Sequence, residues 1–229
     1  MSSDRARAVA VSLAAACLLA LTVAPAKAQD PVKVAGDQYK VITENDSIRV
    51  LDVKMAPGAK AAMHSHPDVT VVVLEAGKVK WTRPDGTSTQ SGPEFKRGAI
   101  QSMKAESHSV ENLGTSAVHV VLIEYKKPAP ATGKARSPSL TPPYKQLADD
   151  PHARAFEVTV SPGGAVPQHT HGDHVIVSLS DSAAEVTDKN GKKEAMSFKK
   201  DTAMVWGPTT HSAINSGKTP VHLIVVEMK

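Results

Sequence analysis

The stretch Pro57-Gly58-Ala59-Lys60-Ala61-Ala62-Met63-His64-Ser65-His66-Pro67-Asp68 recurs 105 residues later as Pro162-Gly163-Gly164-Ala165-Val166-Pro167-Gln168-His169-Thr170-His171-Gly172-Asp173. Further residues align at the same offset, which becomes 103 near the end of each copy. The other aligned pairs include Tyr39 with Tyr144, Arg49 with Arg154, Asp85-Gly86 with Asn190-Gly191, His108 with His211, Asn112 with Asn215, His119 with His222 and Glu124 with Glu227. A hairpin of different length explains the change of offset. The pattern therefore predicts two homologous domains.

A proline-rich segment separates the two copies. Residues 128–143 contain Pro128, Pro130, Pro138, Pro142 and Pro143. Proline opposes regular hydrogen bonding and keeps a chain extended, so this composition predicts a linker. We therefore expect one domain over residues 30–127 and a second over residues 144–229.

Each copy carries strand signals. Val69–Leu74, Val118–Glu124, Val175–Leu179 and Val221–Glu227 are short β-branched runs bounded by turn residues. The dipeptides Asp85-Gly86 and Asn190-Gly191 predict two-residue hairpin turns. With no long amphipathic helix pattern between them, these signals predict an all-β barrel or sandwich in each half.

Histidines recur at the same three positions of both copies. Alternate residues of a strand face the same side, so His64 and His66 project together, as do His169 and His171. His108 and His211 follow after the hairpin, where a neighbouring strand returns them to the same interior. Three imidazoles with open positions beside them suit one divalent transition metal per domain: zinc, iron, copper, nickel or manganese.

The same residues resemble the cupin superfamily. Gly58-x5-His64-x-His66-x3-Thr70-x6-Gly77 resembles the first cupin motif, and His108-x3-Asn112 resembles the end of the second. The second copy matches with Gly163, His169, His171, His211 and Asn215. The stretch His64-Ser65-His66-Pro67-Asp68 is similar to a broad group of small, poorly characterised bacterial cupins.

The resemblance implies two tandem jelly-roll barrels, a bicupin, with one metal inside each. It implies that His64, His66 and His108 are the ligands in domain 1, and that His169, His171 and His211 are the ligands in domain 2. Asn112 and Asn215 correspond to a structural turn position and not to ligands.

The sequence departs from the cupin pattern where a carboxylate ligand is usual. Thr70 and Val175 stand there, and Ser182 replaces the final glycine in the second copy. The hydroxyl of Thr70 predicts a better site for a polar ligand in domain 1. His174 becomes a further ligand if the strand register shifts by one, although simple alternation turns it away from His171. Three neutral imidazoles leave the charge of the metal exposed, which favours anionic ligands, and they provide no obvious general base.

Other repeated residues have less specific interpretations. Asp68 and Asp173 fit either acceptors for a ligand imidazole or turn aspartates. We expect Glu124 and Glu227 to be solvated at strand ends, and His119 and His222 to occupy ordinary strand faces. Tyr39, Arg49 and their counterparts favour barrel packing and a surface ion pair over the alternative of a binding site.

The first 28 residues predict a secretory signal peptide. Arg5 and Arg7 precede an apolar run from Ala8 to Ala24, and Ala26-Lys27-Ala28 fits a cleavage site, so the mature protein is predicted to be periplasmic or secreted. A retained membrane anchor is the alternative, but the apolar run is short for a spanning helix. The single cysteine, Cys17, lies inside this segment, which excludes cysteine chemistry from the mature chain.

Composition restricts the partners. Residues 1–28 contain three basic residues and one acidic residue, so their removal changes the formal charge from +4 to +2, which gives no argument for nucleic acid. Aromatic residues make up 3% of the chain, too few to predict an aromatic substrate pocket. We expect a small-molecule or anionic ligand, no membrane contact after cleavage, and a monomer or homodimer.

Three functions fit these features. The first is a metal-dependent oxygenase, or a related lyase or isomerase, acting on a small molecule. The second is a non-catalytic periplasmic protein that binds a metal or a small anion. The third is a structural bicupin with degenerate sites, which the survival of all six motif histidines disfavours.

Overall fold

The structure, a computed structural model, describes residues 29–90, 95–128 and 143–229. The predicted signal peptide and nearly all of the predicted linker lie outside these residues. No helix in the described part of the chain is long and apolar enough to span a membrane.

The described residues of the first half form one short helix and nine strands. They are α1 (Pro31–Val34), β1 (Tyr39–Glu44), β2 (Ile48–Met55), β3 (Lys60–His66), β4 (Val69–Glu75), β5 (Val79–Thr82), β6 (Ser88–Gln90), β7 (Ile100–Met103), β8 (Glu106–Asn112) and β9 (Val118–Tyr125). The strands form a five-stranded sheet in the order β1-β2-β9-β4-β7 and a four-stranded sheet in the order β3-β8-β5-β6.

The second half repeats this arrangement with nine strands. They are β10 (Tyr144–Asp149), β11 (Ala153–Val160), β12 (Ala165–His171), β13 (His174–Ser178), β14 (Ser182–Asp188), β15 (Lys193–Phe198), β16 (Ala203–Trp206), β17 (Thr209–Asn215) and β18 (Val221–Met228). The sheet orders are β10-β11-β18-β13-β16 and β12-β17-β14-β15. The predicted all-β fold with two tandem jelly-roll barrels is confirmed.

Each five-stranded sheet is buried on both faces. Along β2, Leu51 and Val53 point into the first barrel, whereas Ile48 and Val50 point out of it. The outward residues pack against the second half in one shared core, where Ile123 and Ile224 are fully buried. This shared core between the two barrels was not predicted from the sequence. It explains why central strands read as continuous apolar runs, which is typical of strands covered on both sides.

The two predicted hairpins lie where expected, but their loops are longer than two residues. Arg83 and Thr87 close the first loop through a backbone hydrogen bond of 2.8 Å, so three residues turn the chain. Gly86 and Gly191 have positive φ angles of 82° and 84°, whereas Asp85 and Asn190 do not. A type I turn followed by a left-handed glycine produces this three-residue loop.

Asn112 and Asn215 have the structural role that the family resemblance implies. Nδ2 of Asn112 donates to the carbonyls of Met55 and Ser116 at 3.0 and 2.9 Å, which ties β2 to the turn after β8. Asn215 makes the equivalent bonds in the second barrel. Both side chains are buried, and they fix the strands that carry the motif histidines.

Candidate metal centres

The three predicted histidines of domain 1 meet inside the first barrel. His64 and His66 lie on β3, and His108 lies directly opposite His64 on β8. Their ring centroids are between 4.8 and 5.4 Å apart, and one nitrogen of each ring lies within 4.8 Å of the other two. Nitrogens bound to one tetrahedral ion are about 3.3 Å apart, so small side-chain movements bring all three to a single ion.

Each of these imidazoles donates its Nδ1 proton to an oxygen that can only accept. The acceptors are the Ala62 carbonyl for His64 at 2.6 Å, Glu124 Oε1 for His66 at 2.6 Å, and Glu106 Oε1 for His108 at 2.9 Å. This fixes the tautomer and leaves the lone pair on each Nε2. Metal-ligating histidines are commonly oriented by such a bond, so the donor set fits a transition metal.

Burial keeps two of these imidazoles uncharged. Desolvation lowers the pKa of His64 to about 4, and the charges of His66 and His108 oppose its protonation further. Desolvation and the charge of His66 also lower the pKa of His108. Both rings are therefore neutral ligands at neutral pH.

Glu124 was expected to be solvated, and this is wrong. It is 1% exposed, because it alternates with Val120 and Leu122 on the face of β9 that lines the first barrel. Its Oε2 accepts from Arg49 Nε at 2.5 Å, so Arg49 forms a largely buried ion pair rather than the predicted surface pair. Burial opposes ionisation of Glu124, but the bonds from His66 and Arg49 outweigh it and lower the pKa of the carboxyl.

Domain 2 brings together His169, His171 and His211 in the same way. His169 faces His211 across β12 and β17, and the ring centroids are 4.5 to 5.3 Å apart. Nδ1 of His169 donates to the Pro167 carbonyl and Nδ1 of His171 donates to Glu227 Oε1, each at 2.7 Å. Burial lowers the pKa of His211 to about 3.

Two details distinguish the second centre. Glu227, also expected to be solvated, is 2% exposed and pairs with Arg154 at 2.9 Å. Thr209 stands where Glu106 stands in domain 1, and the buried Nδ1 of His211 has no hydrogen-bond partner among the described residues. The third imidazole of domain 2 therefore has no carboxylate to orient it.

A tyrosine also reaches each centre, which the sequence analysis did not predict. The Tyr39 hydroxyl lies 3.2 Å from His64 Nε2, and the Tyr144 hydroxyl lies 2.8 Å from His169 Nε2. Burial raises the pKa of both hydroxyls well above its usual range, so each is a neutral donor beside the histidines. Tyr39 and Tyr144 occupy the same position of the two copies, and this recurrence could have identified them as neighbours of the metal centres. The sequence pattern alone favours barrel packing for both residues.

The predicted occupants of the fourth position are wrong in both copies. Thr70 faces the opposite side of β4, where it bonds to the Tyr125 hydroxyl at 2.7 Å, and Val175 lies in the shared core. Val69 and His174 face the barrel interiors instead. The turn between the two strands in each copy breaks the simple alternation, so counting from the histidines gave the wrong face.

His174 therefore lies beside the second centre. Its ring stacks on that of His171 with centroids 4.5 Å apart, and its Nδ1 donates to the Gly172 carbonyl at 2.8 Å. Its nitrogens are not part of the convergent group formed by His169, His171 and His211. Burial lowers the pKa of His174 to about 4, so it is a neutral ring on the open side of the centre.

Asp68 and His119 bond to residues other than the six motif histidines. Asp68 accepts from the backbone of Ala105 at 2.8 Å and from Lys104 and His152, which matches neither interpretation made from the sequence. Hydrogen bonds from Lys104 and Ala105 lower the pKa of Asp68 to about 2. His119 pairs with Asp52 at 2.6 Å on β2.

Each centre opens into an apolar cavity. The cavity of domain 1 has a volume of about 100 Å³ and that of domain 2 about 60 Å³. The first cavity shares Trp81, Phe95 and Met103 with an adjoining surface cleft of about 500 Å³. Trp206 lines the second cavity, so both tryptophans of the chain lie at these centres despite the low aromatic content.

Comparison with known proteins supports the fold. No protein-family model and no curated protein matches the chain. Among solved structures, AerE from Microcystis aeruginosa is similar with a TM-score of 0.58, 14% identity, and coverage of 84% of this chain and 97% of that one. Salicylate 1,2-dioxygenase from Pseudoaminobacter salicylatoxidans gives a TM-score of 0.56 at 11% identity, covering 84% and 74%.

A third structure, of oxalate decarboxylase from Bacillus subtilis with Mn(II) centres, gives a TM-score of 0.52 at 13% identity, covering 80% of this chain and 69% of that one. Identities this low establish the fold and leave the reaction open. The chain therefore has the cupin fold twice, in two tandem barrels.

Proposed function

We propose that this chain is an exported metal-binding bicupin whose first barrel is a metal-dependent oxygenase acting on a small molecule. The observation that carries the proposal is the domain 1 donor set. Three imidazoles with fixed Nδ1 protons converge on one point, and two of them, His66 and His108, line the adjoining cavity. Two solved bicupin-like structures named above are a dioxygenase and a decarboxylase, and they support metal chemistry in this fold by analogy.

His64, His66 and His108 would hold the metal. A redox-active divalent ion bound there would supply coordination positions for oxygen and substrate. Glu124 and Arg49 keep His66 in one tautomer, and the Tyr39 hydroxyl provides a neutral hydrogen-bond donor next to His64. Val53, Val71 and Val120 form a valine-rich wall of the cavity. This wall excludes water from that side of the centre, which strengthens polar interactions inside it.

A non-catalytic metal or small-anion binder is the second candidate. Glu124 and Glu106, the carboxylates closest to the domain 1 histidines, are both hydrogen-bonded to imidazole. Both oxygens of Glu124 are occupied, by His66 and Arg49, so Glu124 is not available as a general base. Glu106 has one oxygen on His108 and the other 3.8 Å from Arg83. The buried carboxylate of the centre thus orients a histidine, which disfavours reactions that begin with proton abstraction. This observation favours either an oxygenase that needs no such base or a binder.

Oxygen uptake separates the two candidates. The protein is purified after export, loaded anaerobically with Fe(II), and mixed with a panel of small organic acids in air-saturated buffer. The oxygenase proposal predicts substrate-dependent oxygen uptake that His66→Ala abolishes and His171→Ala retains. Metal binding without uptake for any acid would favour the binder.

Export belongs to the same proposal. Arg5 and Arg7, the apolar run and the Ala26-Lys27-Ala28 sequence support a cleaved signal and a periplasmic or secreted protein. Mass spectrometry of the protein from a periplasmic extract should give a chain that starts at Gln29. An uncleaved chain in the membrane fraction would favour the anchor instead.

A further inference from the structure

The two centres differ on their open side. Val69 contributes only methyl groups to the cavity of domain 1, whereas the corresponding residue of domain 2, His174, covers the ring of His171 at 4.5 Å. The second cavity is also smaller, at about 60 Å³ compared with about 100 Å³. An exogenous ligand therefore has more room at the first centre.

The first cavity limits the size and polarity of that ligand. Aliphatic side chains of the barrel core line most of the cavity, including Val53, Val71, Val120 and Leu122. The polar residues Gln101, Lys104 and Glu106 line both this cavity and the adjoining surface cleft. An apolar cavity of about 150 Å³ accommodates benzene, so about 100 Å³ takes an alkyl group of roughly three or four carbon atoms. A buried hydroxyl or second charge would find no partner against the valine-rich wall and would bind less well.

The electrostatics of the first centre favour a ligand with one negative charge over a neutral ligand. The three imidazoles are neutral donors, and each carboxylate beside them faces an arginine: Glu124 is 2.5 Å from Arg49 and Glu106 is 3.8 Å from Arg83. A divalent ion at the histidines therefore keeps its positive charge facing the cavity. An anionic oxygen of a ligand would compensate it better than a neutral group.

From these three observations we infer that the domain 1 centre binds short aliphatic monocarboxylates, and that His174 closes the domain 2 centre to them. The carboxylate lies toward the metal and the alkyl chain lies against the valine-rich wall. This inference rests on the proposed function, because it requires metal at the histidines. It goes beyond it by naming a ligand class and by assigning different roles to the two barrels.

Visible spectroscopy of the Co(II)-loaded protein tests the inference. Butanoate is compared with 3-hydroxypropanoate, which replaces the terminal methyl group by a hydroxyl and keeps the size and charge. In the His171→Ala protein only the domain 1 centre remains intact. In the His66→Ala protein only the domain 2 centre remains intact. Butanoate should change the cobalt spectrum of the His171→Ala protein and bind roughly tenfold more tightly than 3-hydroxypropanoate, and it should leave the His66→Ala protein unchanged.

A reciprocal exchange tests the role of His174. In the His66→Ala background His174→Val should permit butanoate binding, and in the His171→Ala background Val69→His should remove it. Equal butanoate binding at both centres, or equal affinity for the two acids, would overturn the inference. The cobalt content of each variant is measured first. A His171→Ala protein that binds no cobalt contradicts the proposed function as well as the ligand assignment. A His171→Ala protein that binds cobalt but shows no spectral change with butanoate contradicts only the ligand assignment.

Discussion

His66 and Glu124 are joined by a hydrogen bond of 2.6 Å from the imidazole Nδ1 to the carboxylate. Both side chains are buried, and the second carboxylate oxygen is held by Arg49. Domain 2 repeats the relationship between His171 and Glu227 at 2.7 Å. Each centre thus has one imidazole whose orientation and basicity are set by a buried carboxylate.

Glu124→Gln should weaken metal binding at domain 1 by about tenfold or more, because losing an outer carboxylate typically costs 10–100-fold in metal affinity. The amide keeps the size of the side chain but removes its charge. Competition with a chromophoric chelator measures the affinity of each centre. Glu227→Gln is the matched control and should weaken only domain 2; unchanged affinity in both variants would show that these carboxylates serve packing alone.

The metal-free protein should lose stability as the pH falls from about 6.5 toward 4. The pKa values of His64 and His174 are lowered to about 4 in the folded state, from 6.5 in the unfolded chain. The unfolded chain therefore binds more protons in this window, so the free energy of unfolding decreases as the pH falls. Thermal unfolding across this range measures the decrease.

His174→Val removes one of these groups and provides the control. Its unfolding temperature should fall less steeply than that of the unmodified protein between pH 6.5 and 4. Parallel curves for the two proteins would contradict the assignment of His174 as a buried neutral imidazole.

A residue of domain 2 is expected to position the turn that follows His66 in domain 1. His152 stacks on Tyr125 with centroids 4.3 Å apart, and its Nε2 donates to Asp68 at 3.0 Å, two residues after His66. His152→Ala should lower metal affinity at domain 1 by up to about tenfold and leave domain 2 unchanged. His152→Gln retains a donor and should restore part of the loss; equal effects at both centres would indicate a general loss of stability.

The shared core predicts that the two barrels unfold together. Ile123 of domain 1 is completely buried in the cluster that includes Ile224 and Val226 of domain 2. Ile123→Ala should lower the free energy of unfolding by about 2–5 kcal/mol, and calorimetry should show one transition before and after the change. Two separate transitions in the unmodified protein would mean that the contact between the barrels contributes little to the stability of either one.

The repeat and its turns were enough to predict the fold, and the motif spacing was enough to predict which six histidines meet. The residues around them were harder to identify, because alternation holds within a strand and fails across a turn. Thr70 and Val175 were placed in the barrels by counting through such a turn, and Val69 and His174 face the cavities instead. Glu124 could have been found, since it alternates with Val120 and Leu122 and recurs as Glu227.

The shared core was missed for a different reason. Continuous apolar strands indicate burial on both faces, but a repeat alone does not say whether the two copies cover each other. Val50 and Val72 carry no feature that distinguishes a contact between barrels from a contact within one. Only the packing of the five-stranded sheets against each other settles this.

The number of metal ions per chain tests the central claim most directly. Elemental analysis of the exported protein, and of its His66→Ala and His171→Ala variants, counts the ions held by each form. Two independent three-histidine centres predict about two equivalents in the unmodified protein and about one in each variant. Failure of the unmodified protein to retain any transition metal, even after reconstitution with Zn(II), Fe(II) or Mn(II), would contradict the account.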